Sequence, residues 1–132
     1  MCKIINYLDT MVEKMFTLMQ ISDLHRSNTD SISNEELLSC LIRDCQRFSD
    51  ETPTIARPDA IVVCGDLVMG LPLGDQEYPQ RLKSQYDEAL DFLINLSDAF
   101  VDGDRSKIII IPGNHDIDWN RAKDAMTIVE SE

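Results

Sequence analysis

Three consecutive residues suited to acid–base or metal chemistry stand shortly after an apolar run late in the chain. The segment 108–118 has the sequence IIIIPGNHDID, in which Asn114, His115 and Asp116 stand in immediate succession. An apolar run without polar alternation predicts a buried strand of a parallel sheet, and the proline and glycine after it end the strand. Ligand sites in open α/β sheets lie beyond the carboxyl ends of strands. We therefore expect a site here, although a plain strand followed by a polar turn explains this segment alone equally well.

The same arrangement occurs twice earlier in the chain. The strand-like segment 16–22 is followed by Asp23 and His25, and the segment 60–64 is followed by Asp66. The stretches between these segments are long enough for crossover helices, which predicts parallel neighbouring strands. Asp23 and His25 are two residues apart, so in an extended segment both side chains point the same way. Coincidence is a poor explanation for three apolar segments that are each followed by side chains able to bind a metal. We expect these ligand side chains to converge in the folded chain.

The converging side chains offer two carboxylates, one amide oxygen and two imidazoles. The set consists of Asp23, His25, Asp66, Asn114 and His115. Mixed oxygen and nitrogen ligands suit Mn, Fe or Zn better than calcium or a thiolate-bound metal. A carboxylate such as Asp66 can bridge two cations roughly 3.5 to 4 Å apart, as two-metal phosphoryl-transfer sites require. The sequence therefore predicts metal-assisted hydrolysis.

Composition predicts one globular domain. The chain has 132 residues, of which 43% are hydrophobic and 27% are charged, enough to bury a core. No apolar stretch approaches the roughly 20 residues of a membrane span, and the segment 1–14 has interspersed charges instead of the apolar centre of a signal peptide. The cysteines form no CxxC pair, and the apolar surroundings of Cys40, Cys45 and Cys64 predict small buried side chains without disulfides. We expect a cytoplasmic protein with no membrane role.

The charge balance is strongly acidic. With 12 basic and 24 acidic residues, the formal net charge is −12. This charge argues against broad attraction to nucleic-acid phosphates. It does not argue against a phosphate-containing substrate, because metal ions supply positive charge locally.

The remaining segments supply the helices. Apolar residues at helical spacing in 1–14 predict an amphipathic amino-terminal extension. Ser33 followed by Glu36 matches a capping box, and the apolar stripe after it predicts a helix of about four turns. A second long helix is predicted from Pro79, and a third is predicted after the last motif. The prediction is an extension followed by a single β-α-β-α-β domain over 15–132.

The loop 68–78 starts directly after Asp66 and its neighbour. Its position predicts that it overhangs the site and shapes substrate access. An ordinary connector explains the loop equally well.

Three motifs carry a resemblance to a known family. In this order, Asp23-Leu24-His25, Gly65-Asp66 and Gly113-Asn114-His115-Asp116 resemble the first three motifs of the calcineurin-like metallophosphoesterases. The continuation to Trp119 is similar to bacterial members grouped with cyclic-nucleotide phosphodiesterases. The resemblance implies the β-α-β-α-β amino-terminal half of a four-layer α/β/β/α metallophosphoesterase sandwich. It also implies hydrolysis of a phosphomonoester or a phosphodiester.

The resemblance further implies a role for each motif residue. Asp23 and His25 correspond to ligands of one metal, and Asp66 corresponds to the ligand that bridges both. Asn114 corresponds to a ligand of the second metal. His115 corresponds to the residue that contacts phosphate and acts as the acid that protonates the leaving group. In the family's mechanism the two metals activate a water for in-line attack on phosphorus and stabilise the developing charge.

The chain departs from the family pattern after the third motif. The family has further histidine motifs that complete both metal shells, whereas His25 and His115 are the two histidines of this sequence. We therefore expect a truncated domain, or half of a split enzyme whose carboxyl-terminal half or partner chain supplies the missing histidines. A non-catalytic interaction module with an incomplete metal site is the alternative, and a nuclease is disfavoured by the acidic charge. Asp116 is expected to orient or support His115.

Overall fold

A computed structural model describes residues 2–8 and 15–129 of the chain, with the surroundings of the side chains from 15 to 126. These residues contain four strands, three α-helices and two short 3-10 helices. The strands are β1 (Cys2–Leu8), β2 (Met15–Ile21), β3 (Ala60–Cys64) and β4 (Ile108–Ile111). The helices are α1 (Asn34–Gln46), α2 (Tyr78–Phe100) and α3 (Trp119–Val129).

The four strands form one sheet in the order β1-β2-β3-β4. The last three strands are parallel, with Met19 opposite Ile61 and Ile61 opposite Ile108. The connection from β2 to β3 contains α1, and the connection from β3 to β4 contains α2. The predicted α/β fold is confirmed, and it agrees with the amino-terminal half of a metallophosphoesterase sandwich. The carboxyl ends of the three parallel strands meet at one edge of the sheet.

The amino-terminal segment is a strand, so the predicted amphipathic helix is wrong. Cys2–Leu8 pairs antiparallel with β2, from Cys2 opposite Ile21 to Leu8 opposite Met15. This pairing satisfies the backbone groups along one side of β2, and such tertiary pairing overrides a short helical spacing of apolar residues. Residues 9–14, the rest of the predicted helix, lie outside the described residues.

The core lies on one face of the sheet, under α1 and α2. Alternate residues of β2 and β3 face the helices, as the period of a strand requires. The buried cluster consists of Met19, Ile21, Ile61, Val63, Phe92, Leu93, Leu96, Phe100 and Val101. The apolar stripe of α1 is only partly buried against it. The core therefore depends mainly on α2 and the two central parallel strands.

The strand β4 is an exposed edge strand, which corrects the prediction of a buried one. Ile109, Ile110 and Ile111 leave 52%, 50% and 52% of their surface exposed. Ile110 is level with Val63 on the side of the helices, whereas Ile109 and Ile111 lie on the opposite face. On that face Leu18, Gln20, Val62 and Cys64 are partly exposed, while Ala60 at the start of β3 is buried. An apolar run alone does not distinguish such an edge strand from a central one.

The three helices predicted after the first motif are confirmed. Ser33 caps α1 by accepting a hydrogen bond from Glu36 N at 3.1 Å, and Pro79 lies in the first turn of α2. Cys40 is exposed on α1, contrary to the prediction of a buried side chain, while Cys45 and Cys64 are partly buried. A search of the described helices finds none with the length and apolar content needed to cross a membrane.

Candidate metal centre

The first two motif loops continue the sheet beyond the ends of their strands. Asp23 N donates to Gly65 O at 3.2 Å, and His25 N donates to Asp66 O at 2.9 Å. Gly65 N in turn donates to Ile111 O, the last residue of β4, at 2.7 Å. These backbone bonds hold the loops after the three parallel strands against one another.

Asp23, His25 and Asp66 form a group with the geometry of a metal site. One donor atom of each lies within 4.8 Å of the other two. The His25 Nδ1 atom is buried and has no hydrogen-bond partner among the described residues. A buried polar atom without a partner is costly, and two adjacent carboxylates repel each other. A divalent cation relieves both costs, and two carboxylates with one imidazole fit Mn, Fe or Zn.

The backbone of these three residues is left-handed. The φ angles of Asp23, His25 and Asp66 are 57°, 47° and 51°. The expectation that Asp23 and His25 share one side of an extended segment is therefore wrong, because the loop turns at both residues. Non-glycine residues rarely adopt this conformation, and it persists where neighbouring contacts impose it, as at functional sites.

The third loop joins the group through Asp66. His115 N donates to Asp66 Oδ1 at 3.1 Å, and the His115 and His25 rings pack edge to face with centroids 4.7 Å apart. Asn114 is exposed between Gly113 and His115. A Cβ atom at Gly113 would stand 2.3 Å from Asp66 Oδ1. Only glycine allows the loops to approach this closely.

The Asp116 carboxylate bonds to the backbone of two loops and not to the His115 imidazole. Its Oδ1 accepts hydrogen bonds from the N–H groups of residues 67 and 68 at 2.7 and 3.0 Å, and its Oδ2 accepts one from Gly113 N at 2.7 Å. The His115 Nδ1 atom lies 2.5 Å from the Met69 carbonyl oxygen. Because a carbonyl only accepts, Nδ1 carries the proton and Nε2 is left as the other polar atom of the ring. The Asp116 carboxylate thus bonds to the backbone of both loops, and its expected support of His115 stays a prediction.

Tyr86 lies beside the third loop. Its hydroxyl donates to the Asp116 carbonyl oxygen at 2.9 Å. Burial, followed by the charges of Asp118 and Asp116, raises the pKa of Tyr86 above its ordinary value. The hydroxyl therefore stays protonated, as its role as a donor requires.

Arg26 is a buried residue of the site that sequence analysis missed. It pairs with Asp30 at 3.0 Å and with Glu88 at 3.6 Å, and its Nε donates to Asn34 Oδ1 at 2.9 Å. These contacts tie the first loop to α1 and α2. The burial of a loop residue leaves no periodic pattern in the sequence. The one signal for the burial of Arg26 was Asp30, an acidic residue four positions later that can pair with it.

A comparison with protein families defines the class of this chain. The family model of calcineurin-like phosphoesterases matches residues 16–129, a range that includes all three motif loops. The chain belongs to the calcineurin-like phosphoesterase family. Membership suggests metal-dependent phosphoester hydrolysis, in agreement with the Asp23, His25 and Asp66 group. No curated protein and no solved structure gives a significant match.

Proposed function

We propose that this chain holds the metal centre of a hydrolase that cleaves phosphomonoesters or phosphodiesters. The observation that carries the proposal is the convergence of Asp23, His25 and Asp66 within 4.8 Å beyond the ends of two adjacent parallel strands. The unpartnered Nδ1 atom of His25 supports it, since a structural histidine at this depth would have a hydrogen-bond partner.

The proposed cofactors are two divalent cations, with Mn, Fe or Zn preferred by the donor set. Asp23 and His25 hold one ion, Asp66 contacts both, and Asn114 holds the second. When bound, the ions supply an activated water and stabilise charge on the phosphate.

His115 is proposed to contact the phosphate and to protonate the leaving group. The Met69 carbonyl fixes its Nδ1 atom as the donor, which leaves Nε2 to exchange a proton with a substrate. The bond from His115 N to Asp66 Oδ1 couples the position of this imidazole to a metal ligand. Asp116 acts as a positioning residue because it holds the backbone of both loops.

Ligands from outside these residues are proposed to complete the two metal shells. Four protein ligands, one of them shared, are few for two cations that each take four or more donors. Both histidines of the sequence already lie in the motif loops. A carboxyl-terminal half or a partner chain with histidines is the proposed source.

A non-catalytic interaction module is the second candidate. The exposed isoleucines of β4 favour it, because a half-covered apolar strand is a surface suited to a partner. For the enzyme, the net charge of −12 favours a small phosphoester over a nucleic acid as substrate. For either candidate we propose a cytoplasmic location.

Hydrolysis of bis(p-nitrophenyl) phosphate with Mn²⁺ tests the enzyme proposal. The variant Asp66→Asn removes the bridging carboxylate, while asparagine tolerates the left-handed backbone and keeps an Oδ1 acceptor for His115 N. Asp87→Asn, an exposed position on α2, removes the same charge away from the site. We expect Asp66→Asn to lose at least about a hundredfold in rate and Asp87→Asn to equal the wild type.

Equal rates in the wild type and Asp66→Asn would assign the activity to a contaminant. A folded wild-type chain that is inert with Mn²⁺ would favour the interaction module or an incomplete half of a split enzyme.

A further inference from the structure

A pocket adjoins His115 on the side of the loop that follows β3. Its volume is about 370 Å³, and it is lined by the segment 69–72, Asn114, His115 and Trp119. Apart from the imidazole, none of these lining side chains is ionisable. The pocket therefore suits a neutral group bonded to a phosphate that reaches His115.

One wall of the pocket is held in place by two buried amides. Gln85 accepts a hydrogen bond from Gly70 N at 2.9 Å and donates one to Gly70 O at 3.3 Å. Asn120 accepts a hydrogen bond from Gly74 N at 2.7 Å and donates one to Pro72 O at 3.2 Å. Both amide side chains belong to buried residues. The loop is thus bonded to α2 and to α3, and a preorganised wall costs less to order on binding.

The pocket is also lined by an oriented indole. Trp119 Nε1 donates to the Asn114 carbonyl oxygen at 2.9 Å, while 45% of the residue remains exposed. Met69 also lines the pocket, is 46% exposed, and holds His115 through its carbonyl oxygen. Indole faces stack on flat aromatic groups, and a methionine thioether packs well against ring edges.

We propose that this pocket binds the leaving group of the phosphoester and selects a flat aromatic one. The inference rests on the proposed function, because it requires the phosphate to lie at His115 and the metal ligands. Trp119 and Met69 are then the residues that determine specificity, and Gln85 and Asn120 are positioning residues.

Binding of two phosphonates to the full chain with Zn²⁺ tests the proposal. Benzylphosphonate carries a ring where the leaving group would lie, and methylphosphonate lacks it; neither has a phosphoester bond to cleave. Calorimetry should show benzylphosphonate binding about tenfold more tightly, the gain expected from burying one ring. Trp119 is the single tryptophan of the sequence, so benzylphosphonate should also change the tryptophan fluorescence.

Two variants of the same loop provide a matched comparison. Met69→Ala removes a side chain that lines the pocket and keeps the carbonyl that holds His115. Leu73→Ala removes an exposed apolar side chain that does not line it. We expect Met69→Ala to lose most of the preference for benzylphosphonate, Leu73→Ala to keep it, and both to bind methylphosphonate as the wild type does.

Equal affinity for both phosphonates, with binding that requires Zn²⁺, would overturn the pocket proposal and leave the proposed function standing. Absence of binding by either phosphonate in the presence of Zn²⁺ would count against the proposed function itself. Benzylphosphonate binding that persists in EDTA, or an equal effect of the two variants, would show that the ring lies elsewhere and would overturn the proposal.

Discussion

A single carboxylate, Asp116, accounts for much of the order in the loops around the site. It accepts three backbone hydrogen bonds, two from the loop after β3 and one from Gly113 in the loop after β4. Hydrogen bonds to a charged acceptor are among the stronger ones in proteins. The histidine and asparagine between Gly113 and Asp116 are positioned as a consequence.

Replacing this carboxylate should therefore destabilise the fold. Asp116→Asn keeps one carbonyl oxygen but places an NH₂ group against a backbone N–H, so at least one buried donor loses its acceptor. We expect a loss of about 2 kcal/mol in the free energy of unfolding, measured by urea denaturation. Asp118→Asn is the control, because Asp118 caps α3 through Arg121 N at 2.9 Å and asparagine caps equally well. Equal stabilities of the two variants would contradict this role of Asp116.

Alanine substitutions at two glycines of the loop after β3 distinguish the cost of backbone strain from the cost of a clash with His115. Gly70 and Gly74 both have positive φ angles, 73° and 85°, but a Cβ at Gly70 would lie 2.9 Å from His115 O whereas one at Gly74 meets nothing within 4 Å. Alanine at either position costs about 1–2 kcal/mol for the left-handed backbone. We expect Gly70→Ala to cost about 1 kcal/mol more and to shift the NMR signals of His115. Identical effects of the two variants on stability and on those signals would contradict the contact.

The motif residues were visible in the sequence because their chemical types recur after apolar runs. The structure brings Asp23, His25 and Asp66 together and places His115 against them, with Asn114 exposed beside His115 in the same loop, while their assigned roles stay proposals. The left-handed backbone, the bonds of Asp116 and the buried Arg26 were not predicted. They depend on which loops face each other, and a local sequence pattern does not contain that information.

At the scale of elements, prediction succeeded where a periodic segment had clear ends. The parallel strands and the helices lie where apolar runs, the Ser33 cap and Pro79 indicated. The strand β1 was missed because its conformation is decided by pairing with β2, and the exposure of β4 was missed because an apolar run does not reveal how many layers cover a strand.

The exposed face of β4 should favour self-association. Ile109 lies on the uncovered face of an edge strand, where a lysine introduces charge without displacing a core side chain. We expect Ile109→Lys to lower self-association at high protein concentration, with the free energy of unfolding changed by less than about 1 kcal/mol. Sedimentation velocity provides the measurement, and Met126→Lys on α3, where the methionine is 69% exposed, is the control. An equal effect of both substitutions would point to net charge as the cause.

At the scale of the whole molecule, the fold brings the residues of the candidate metal centre together at one end of a parallel sheet. Three strands deliver three loops, backbone hydrogen bonds extend the sheet into them, and Asp116 joins two of the loops. The core lies away from this end, under α1 and α2. The site can therefore hold strained residues and the unpaired Nδ1 atom of His25, because the rest of the fold supplies the stability.

The proposed function requires that this end of the sheet bind metal through His25, with His115 in a different role. The most direct measurement is the affinity for Zn²⁺, determined by calorimetry, of the wild type and of His25→Asn and His115→Asn. Asparagine tolerates the left-handed backbone of His25, so His25→Asn should stay folded. We predict that His25→Asn weakens Zn²⁺ binding by at least about tenfold while His115→Asn stays within about threefold of the wild type. Equal Zn²⁺ affinities of all three proteins would contradict the proposed function.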